Sequence, residues 1–333
     1  MNDESFSALE SRVGDSVVTV EEFAVTAGKV AEFSRAITDP NPVFLDESAA
    51  GERGHDRMPA PPTFTRVSTF TRYRPPNTPE YGIELGFDPE RLLHGEQSYE
   101  YERPVRVGDV LSGTSTLTDV YRRDGRRGGT MTFAELETSF TDQHGEHVLT
   151  ECSTTIETAP VDDTTHTDDD TVQASRGGSA TSVSGLSPRS IQPRRTPPTE
   201  RLDSTDSLAV GDRGPTITVE SLTRQDFVRY AGASGDFNPI HYNEPYATAA
   251  GIPSVFGQGM LTAGITGRVL TDWVGIDAID SFGVRFQSRV FPGDTVVASG
   301  NVTEVSDDIT IELTAETETE TVLSGRATVS DVA

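Results

Sequence analysis

Asp236 and His241 stand five positions apart in the stretch Ser234-Gly235-Asp236-Phe237-Asn238-Pro239-Ile240-His241. A carboxylate of ordinary pKa is charged at neutral pH, and an imidazole sits near its midpoint there. Together they can hold one water between an acceptor and a group that both donates and accepts, which is what adding water to a polarised double bond requires. Asn238, between them, is suited to fixing the loop or to positioning the pair. Gly235 permits backbone conformations that other residues resist, and Pro239 fixes φ, so the stretch reads as a loop of set geometry. A bare hexapeptide of this type also fits a plain helix start, with Asp and Asn as caps and His merely packed.

The flanks extend the pattern. Tyr230-Ala231-Gly232-Ala233-Ser234-Gly235-Asp236-Phe237-Asn238-Pro239-Ile240-His241, followed by Ala247 and Ala249-Ala250-Gly251-Ile252-Pro253, resembles the signature of MaoC-like dehydratases, the (R)-specific enoyl-CoA hydratases also called hydratase 2. The resemblance implies reversible hydration of a trans-2-enoyl-CoA to an (R)-3-hydroxyacyl-CoA, without metal or redox cofactor. Negative charge then develops on the thioester oxygen as water attacks C3. Gly259 lies at the start of an apolar stretch, Gly257 to Trp273, that reads as a long buried helix. Free N–H groups and the positive dipole end point outward there, so the Gly259 N–H is assigned to an oxyanion hole, with a tight helix entry made by Gly257 and Gly259 as the alternative. Many relatives resemble Ala-His-Gly-Met where this chain has Gly257-Gln258-Gly259-Met260; a backbone contact survives that change. Asp236 is taken as base and His241 as its partner in orienting and relaying protons, although coupled groups share their titration.

The expected catalytic set is thus Asp236, His241, Asn238 and Gly259. Phe256, Met260 and Leu261 are candidates for an apolar acyl slot, with Pro61 to Phe64 as the facing wall; ordinary core packing is the alternative for each. Arg285 and Arg289, read as sharing one face of the strand after the helix, are candidates for the CoA phosphates, with surface solvation as the alternative.

The elements around this site repeat. In the first half a β-type run, Val17 to Val20, precedes helical spacing over Ala27 to Ala36. Then comes Thr38-Asp39-Pro40-Asn41-Pro42-Val43-Phe44, which keeps Asp, Asn and Pro of the later motif but has Phe44 where His241 stands. Ala60-Pro61-Pro62-Thr63-Phe64 then leads into a second expected helix that runs to about Tyr73. After a Pro- and Gly-punctuated excursion, alternation predicts antiparallel strands at 94–103, 110–121, 130–141 and 147–158. His94-Gly95-Glu96-Gln97-Ser98-Tyr99, with Pro104 to Asp109, also resembles the N-terminal half of two-repeat dehydratases. The second half repeats the order: a strand at 216–219, a helix opened by Thr223 and Asp226 in capping-box position, a short helix at 244–250, the long apolar helix, and strands at 281–290, 295–305, 309–317 and 321–330. This is an α+β pattern. The resemblance makes it a double hot dog, two repeats each with an antiparallel sheet wrapped around a long buried helix, joined into one continuous sheet. The expected domains are 1–159, a repeat lacking the catalytic His; 160–213, a disordered acidic, Ser-, Thr- and Pro-rich linker; and 214–333, the catalytic repeat. His166 beside Asp168 to Asp170 reads as solvated spacer rather than metal site.

Composition narrows the partners. The 333 residues carry a formal net charge of −26, and Lys29 is the sole lysine. Such a chain repels nucleic acid and anionic membrane surfaces, so neither is an expected partner. The composition resembles that of cytoplasmic proteins from extreme halophiles. No apolar signal core or spanning run stands in the sequence, so a cytoplasmic location is expected. The lone Cys152 excludes an intrachain disulfide and reads as a buried spectator. No GxGxxG fingerprint is present, in keeping with no nicotinamide site. The expected partner is an acyl-CoA thioester, and a homodimer of double hot dogs is compatible with the pattern. A branched or dicarboxylic enoyl-CoA such as mesaconyl-CoA, a hot-dog thioesterase and a non-catalytic acyl-thioester-binding protein are the alternative functions.

Overall fold

The computed structural model describes residues 1–79, 82–125, 129–159, 202 and 204–330. Alternating side chains build its sheet. The first half contributes β1 (Ser16–Ala24), β2 (Leu92–Tyr101), β3 (Val110–Asp124), β4 (Thr130–Thr141) and β5 (His147–Glu157). The second contributes β6 (Ile217–Val219), β7 (Ile279–Phe286), β8 (Val296–Val305), β9 (Ile309–Glu316) and β10 (Thr321–Val329). On β8, for example, Val296, Ala298, Gly300 and Val302 all face inward. Among the described residues the strands form one ten-stranded sheet in the order β1-β3-β4-β5-β2-β7-β10-β9-β8-β6. Each half runs edge to centre in the same relative order, and β2 and β7 join them antiparallel, with Gln97 opposite Val284 and Tyr99 opposite Phe282. The expected continuous sheet is present.

Six α-helices lie among the described residues: α1 (Asp3–Glu10), α2 (Ala27–Ala36), α3 (Glu47–Glu52), α4 (Arg224–Ser234), α5 (Glu244–Ala249) and α6 (Gly259–Trp273). Every residue of α6 from Met260 onward is buried, as its all-round apolar sequence requires. A Cβ on Gly264 would meet Ile37 Cγ2 at 2.5 Å, whereas one on Gly267 would find nothing closer than 3.8 Å. Only Gly264 therefore permits a close approach, and the approach is to the first half. The helices α2 and α4 pair across the halves, with Phe33 and Tyr230 rings 5.9 Å apart. The sole lysine helps join them: Lys29 Nζ donates to Gly232 O at 3.3 Å. The Thr223–Asp226 capping box opens α4 as expected.

The first half departs from expectation between Ala60 and Tyr73. The expected helix is replaced by two 3-10 turns, Phe64–Thr69 and Thr71–Tyr73, separated by Phe70 in an extended conformation at ψ 135°. Thr63, Thr65, Val67, Thr69 and Thr71 are β-branched and Pro61-Pro62 precede them, a composition that disfavours a regular α-helix.

Three further differences concern the segments around the core. The expected linker 160–213 lies partly outside the described residues, as do His166 and Asp168 to Asp170. Residues 204–213, however, are ordered on the second half. Leu208 is buried, Leu202 N donates to Trp273 O at 2.9 Å, and Gly211 N donates to Val302 O at 2.9 Å. Its two leucines give this end of the segment apolar anchors that a spacer lacks. Cys152 is exposed on the outer face of β5 rather than buried. Partial shielding of its sulfur, then Glu137, Glu100 and Glu151, push its thiol up to about 11. Helix α1, not anticipated, is held by an Arg122–Asp3 ion pair at 2.6 Å.

Candidate active site

Gly235 ends α4 in the left-handed region at φ 89° and turns the chain into the reactive loop. Asp236 Oδ1 faces the Asn238 N–H at 3.4 Å, and Asn238 Oδ1 accepts from Ile240 N at 3.1 Å. Pro239 opens the 3-10 turn Pro239–His241 that presents the imidazole. Asn238 thus holds the loop, with its own side chain exposed. The first half makes the same turn from Asp39 and Asn41, at 2.8 Å and 3.2 Å, and presents Phe44 instead.

Asp236 and His241 sense one another electrostatically in this loop. Burial alone would raise Asp236, but the Arg66 guanidinium, His241, the Asn238 N–H and His94 outweigh it and hold the carboxyl below its usual range. Burial lowers His241, and the opposing pull of Asp236 and of the Phe256 carbonyl does not restore it. At neutral pH the pair is therefore carboxylate and neutral imidazole. His241 Nδ1 lies 2.8 Å from Phe256 O. A carbonyl can only accept, so Nδ1 carries the proton and Nε2 is left with a lone pair.

The same hydrogen bond fastens the imidazole to the segment that enters α6. Gly259 is the first residue of that helix, and the Phe286 ring lies 3.0 Å from where its Cβ would be. Phe286 in turn meets the His94 ring at 5.0 Å. Gln258 is buried and donates to Phe227 O at 3.1 Å, locking α4 to the helix start.

The other expected binding residues scatter. The Phe256 ring stands edge-on to His241 at 5.1 Å, with the Arg289 guanidinium 5.2 Å over it. Met260 and Leu261 are 2% and 1% exposed and belong to the main core. Arg285 is paired with Glu96 at 2.9 Å on the exposed sheet face. Arg289 lies beyond the end of β7, so the two arginines do not share a strand face. Past Phe286 the regular ladder ends where Gln287 N and Ser288 N both donate to Val322 O, at 2.9 Å and 3.4 Å.

Two site residues escaped the sequence reading, and both come from the first half. Arg66 Nη2 is 3.5 Å from Asp236 Oδ2. His94, on β2, senses Asp236 and Arg66; burial, then Arg66, push its imidazole down to about 4. Its Nε2 is buried without a hydrogen-bond partner. Arg66 lies in no motif, and the His94 to Tyr99 stretch resembles the family without marking His94 for the site; the β2–β7 pairing and the packing of the halves bring both in. Among the described residues no group of three or more His, Cys, Asp or Glu side chains is placed to hold a metal ion, and no helix is long and apolar enough to cross a membrane.

Comparison with known proteins places both halves. Residues 11–151 match a family model described as the FAS1-like, dehydratase domain region, and residues 209–323 match the MaoC like domain. A UPF0336 protein from Streptomyces avermitilis is 36% identical over 141 residues, 42% of this chain and 89% of that one. A UPF0336 protein from Thermobifida fusca is 35% identical over 130 residues, covering 39% and 80%. A solved structure titled MaoC-like dehydratase superposes with a TM-score of 0.74 at 26% identity, over 96% of this chain and 99% of that one. A conserved hypothetical protein from Mycobacterium tuberculosis with a double hotdog fold superposes at 0.60 and 14% identity, over 98% of each chain, a likeness of fold alone.

Proposed function

Because this chain belongs to the MaoC-like dehydratases, in a two-repeat double hot dog form, we propose that it catalyses the reversible hydration of a trans-2-enoyl thioester, carried on CoA, to the (R)-3-hydroxyacyl thioester. The family supports hydratase and dehydratase chemistry in general terms; the substrate, its carrier and the stereochemistry are this proposal's own. One observation carries it: the Phe256 carbonyl that fixes the His241 tautomer belongs to the segment entering α6, three positions before Gly259. Water-holding groups and an anion-stabilising helix end are thereby built into one rigid unit.

In this reading water donates to Asp236 and to His241 Nε2 while its oxygen attacks C3. One O–H bond breaks as C3–O forms, and the dyad takes that proton. The charge gathers on the thioester oxygen, where the Gly259 N–H and the helix dipole stabilise it. A proton returned from the dyad to C2 completes the hydration, and dehydration runs the same steps backward. Asn238 keeps the loop in register, while Phe256 walls the imidazole.

Of the alternatives, a dicarboxylic enoyl-CoA needs a cation for its second carboxylate. Arg66 already faces Asp236, which leaves Arg289, over the Phe256 ring, as the cation for that reading to use. The test is a panel of enoyl-CoA substrates in molar KCl, with loss of the conjugated thioester followed by absorbance and chiral analysis of the product. An (R)-3-hydroxy product supports the proposal; release of free CoA thiol would indicate a thioesterase, and binding without turnover a non-catalytic carrier. Within the same proposal, the protein works in a salt-rich cytoplasm, in fatty acid metabolism, and residues 160–201 join the silent repeat to the catalytic one.

A further inference from the structure

The half that carries Phe44 at the position of His241 reaches the reactive loop at three points. Arg66 Nη2 is 3.5 Å from Asp236 Oδ2. Thr69 Oγ1 lies within reach of both Ser234 O, at 3.1 Å, and Arg66 O, at 3.0 Å, so its hydroxyl ties the 3-10 turn to the entry of the loop. The Phe70 ring covers Gly235, where a Cβ would meet it at 3.0 Å. The turn is itself anchored from β5, because Thr65 Oγ1 donates to Glu151 Oε2 at 2.8 Å.

We infer that Arg66 is a positioning residue for the Asp236 carboxylate, so that the degenerate repeat holds the base of the intact one in place. In its kinetic form the inference rests on the hydratase reading above. The two carboxylate oxygens have different holders: Oδ1 faces the Asn238 N–H, and Oδ2 faces Arg66. With the loop alone, rotation about the Cβ–Cγ bond is weakly restrained, since terminal torsions of this kind are broad. A guanidinium on the second oxygen restrains that rotation and still leaves lone pairs for water.

The groups facing Asp236 come from every side: His241 from its own loop, His94 from β2, Tyr230 from α4 and Arg66 from the 3-10 turn. Only Arg66 keeps a positive charge throughout the working range. The degenerate half has a crosswise counterpart with a different outcome. Arg268 of α6 stands 4.0 Å from Asp39 Oδ1, and both side chains are 1% exposed. That carboxylate is sealed, whereas Arg66 and Asp236 are 27% and 17% exposed and stay open to a reactant.

The test titrates Asp236 in the wild type, in Arg66→Gln and in Arg66→Lys. Isotope-edited NMR follows the carboxyl carbon, assigned with Asp236→Asn, and kinetics follow the acid limb of kcat/KM. Arg66→Gln should raise the carboxyl midpoint by about one pH unit and Arg66→Lys by less. The acid limb should move with it, kcat should fall roughly tenfold or more, and KM for the thioester should change little. An unmoved carboxyl midpoint in folded Arg66→Gln overturns the inference. So does a rise in KM with an unmoved acid limb, which would make Arg66 a substrate-binding group. The NMR arm needs no turnover and so stands apart from the hydratase reading. Turnover by the wild type with an unmoved midpoint sinks this inference alone. If Arg66→Gln does not fold, Arg66→Lys carries the same comparison.

Discussion

At the residue scale, Gly259 offers a way to separate a lost donor from crowding. It is the first residue of α6, and Gln258 before it is extended at φ −59° and ψ 136°. Proline is tolerated at a first helical position and favours an extended residue before it. Gly259→Pro therefore removes the N–H while keeping the helix, and Gly259→Ala keeps the N–H and adds only a Cβ against Phe286. Turnover by Gly259→Pro should be roughly a hundred- to a thousandfold slower than by Gly259→Ala, the worth of one oxyanion donor; equal rates would remove this N–H from the chemistry. His94 gives a stability prediction. Its imidazole lies near 4 in the folded protein against an ordinary 6.5, so as pH falls the unfolded chain binds the proton first. Folding stability from this group is complete above about pH 6.5 and is lost as the pH falls toward about 4, on the order of 3 kcal/mol in all. In urea titrations His94→Gln should lose less stability than the wild type between about pH 7 and about pH 4.5; parallel losses would contradict the assignment. The loop that carries Asp236 and His241 and the helix start at Gly259 were legible in the sequence because both are local patterns. Arg66 was not, since its partner is 170 positions away and no spacing rule spans two repeats.

At the element scale, the strands were legible because one face of each is buried and the period of two survives in the residue types. Thr130–Thr141 was read to its observed ends. The first half's central helix was misread for a related reason. Apolar residues from Ala60 to Tyr73 signal burial, but burial does not choose between a helix and 3-10 turns. The glycines of α6 illustrate the same limit. Gly264 and Gly267 are alike in type and in helical setting, and only Gly264 makes a close approach. Gly264→Ala should destabilise the protein by about 1–3 kcal/mol, because its Cβ collides with Ile37 of the other half. Gly267→Ala should be neutral or stabilising by up to about 1 kcal/mol, since it gains helix propensity in ordinary contact. Chemical denaturation of the two variants checks this, and equal destabilisation would mean that α6 does not pack on α2's neighbour Ile37 as described.

At the scale of the whole molecule, the two repeats share one continuous sheet and, on the proposed reading, divide the work of one site. The second carries Asp236, His241 and the long helix; the first has Phe44 at the position of His241 and 3-10 turns in place of that helix, and reaches across with Arg66, His94 and Phe70. A net charge of −26 over this fold makes self-repulsion a large term that salt screens. The melting temperature should rise as KCl is added toward molar levels; a steady fall would contradict the reading of the charge as an adaptation to salt. The central claim is that Asp236 and His241 act together on a water molecule. Its most direct test is crotonyl-CoA hydration in high KCl by the wild type and by the double variant Asp236→Ala with His241→Ala, each shown to be folded. The account predicts that the wild type turns the thioester over and that the double variant does so at least about a hundredfold more slowly; undiminished turnover by the double variant would contradict it.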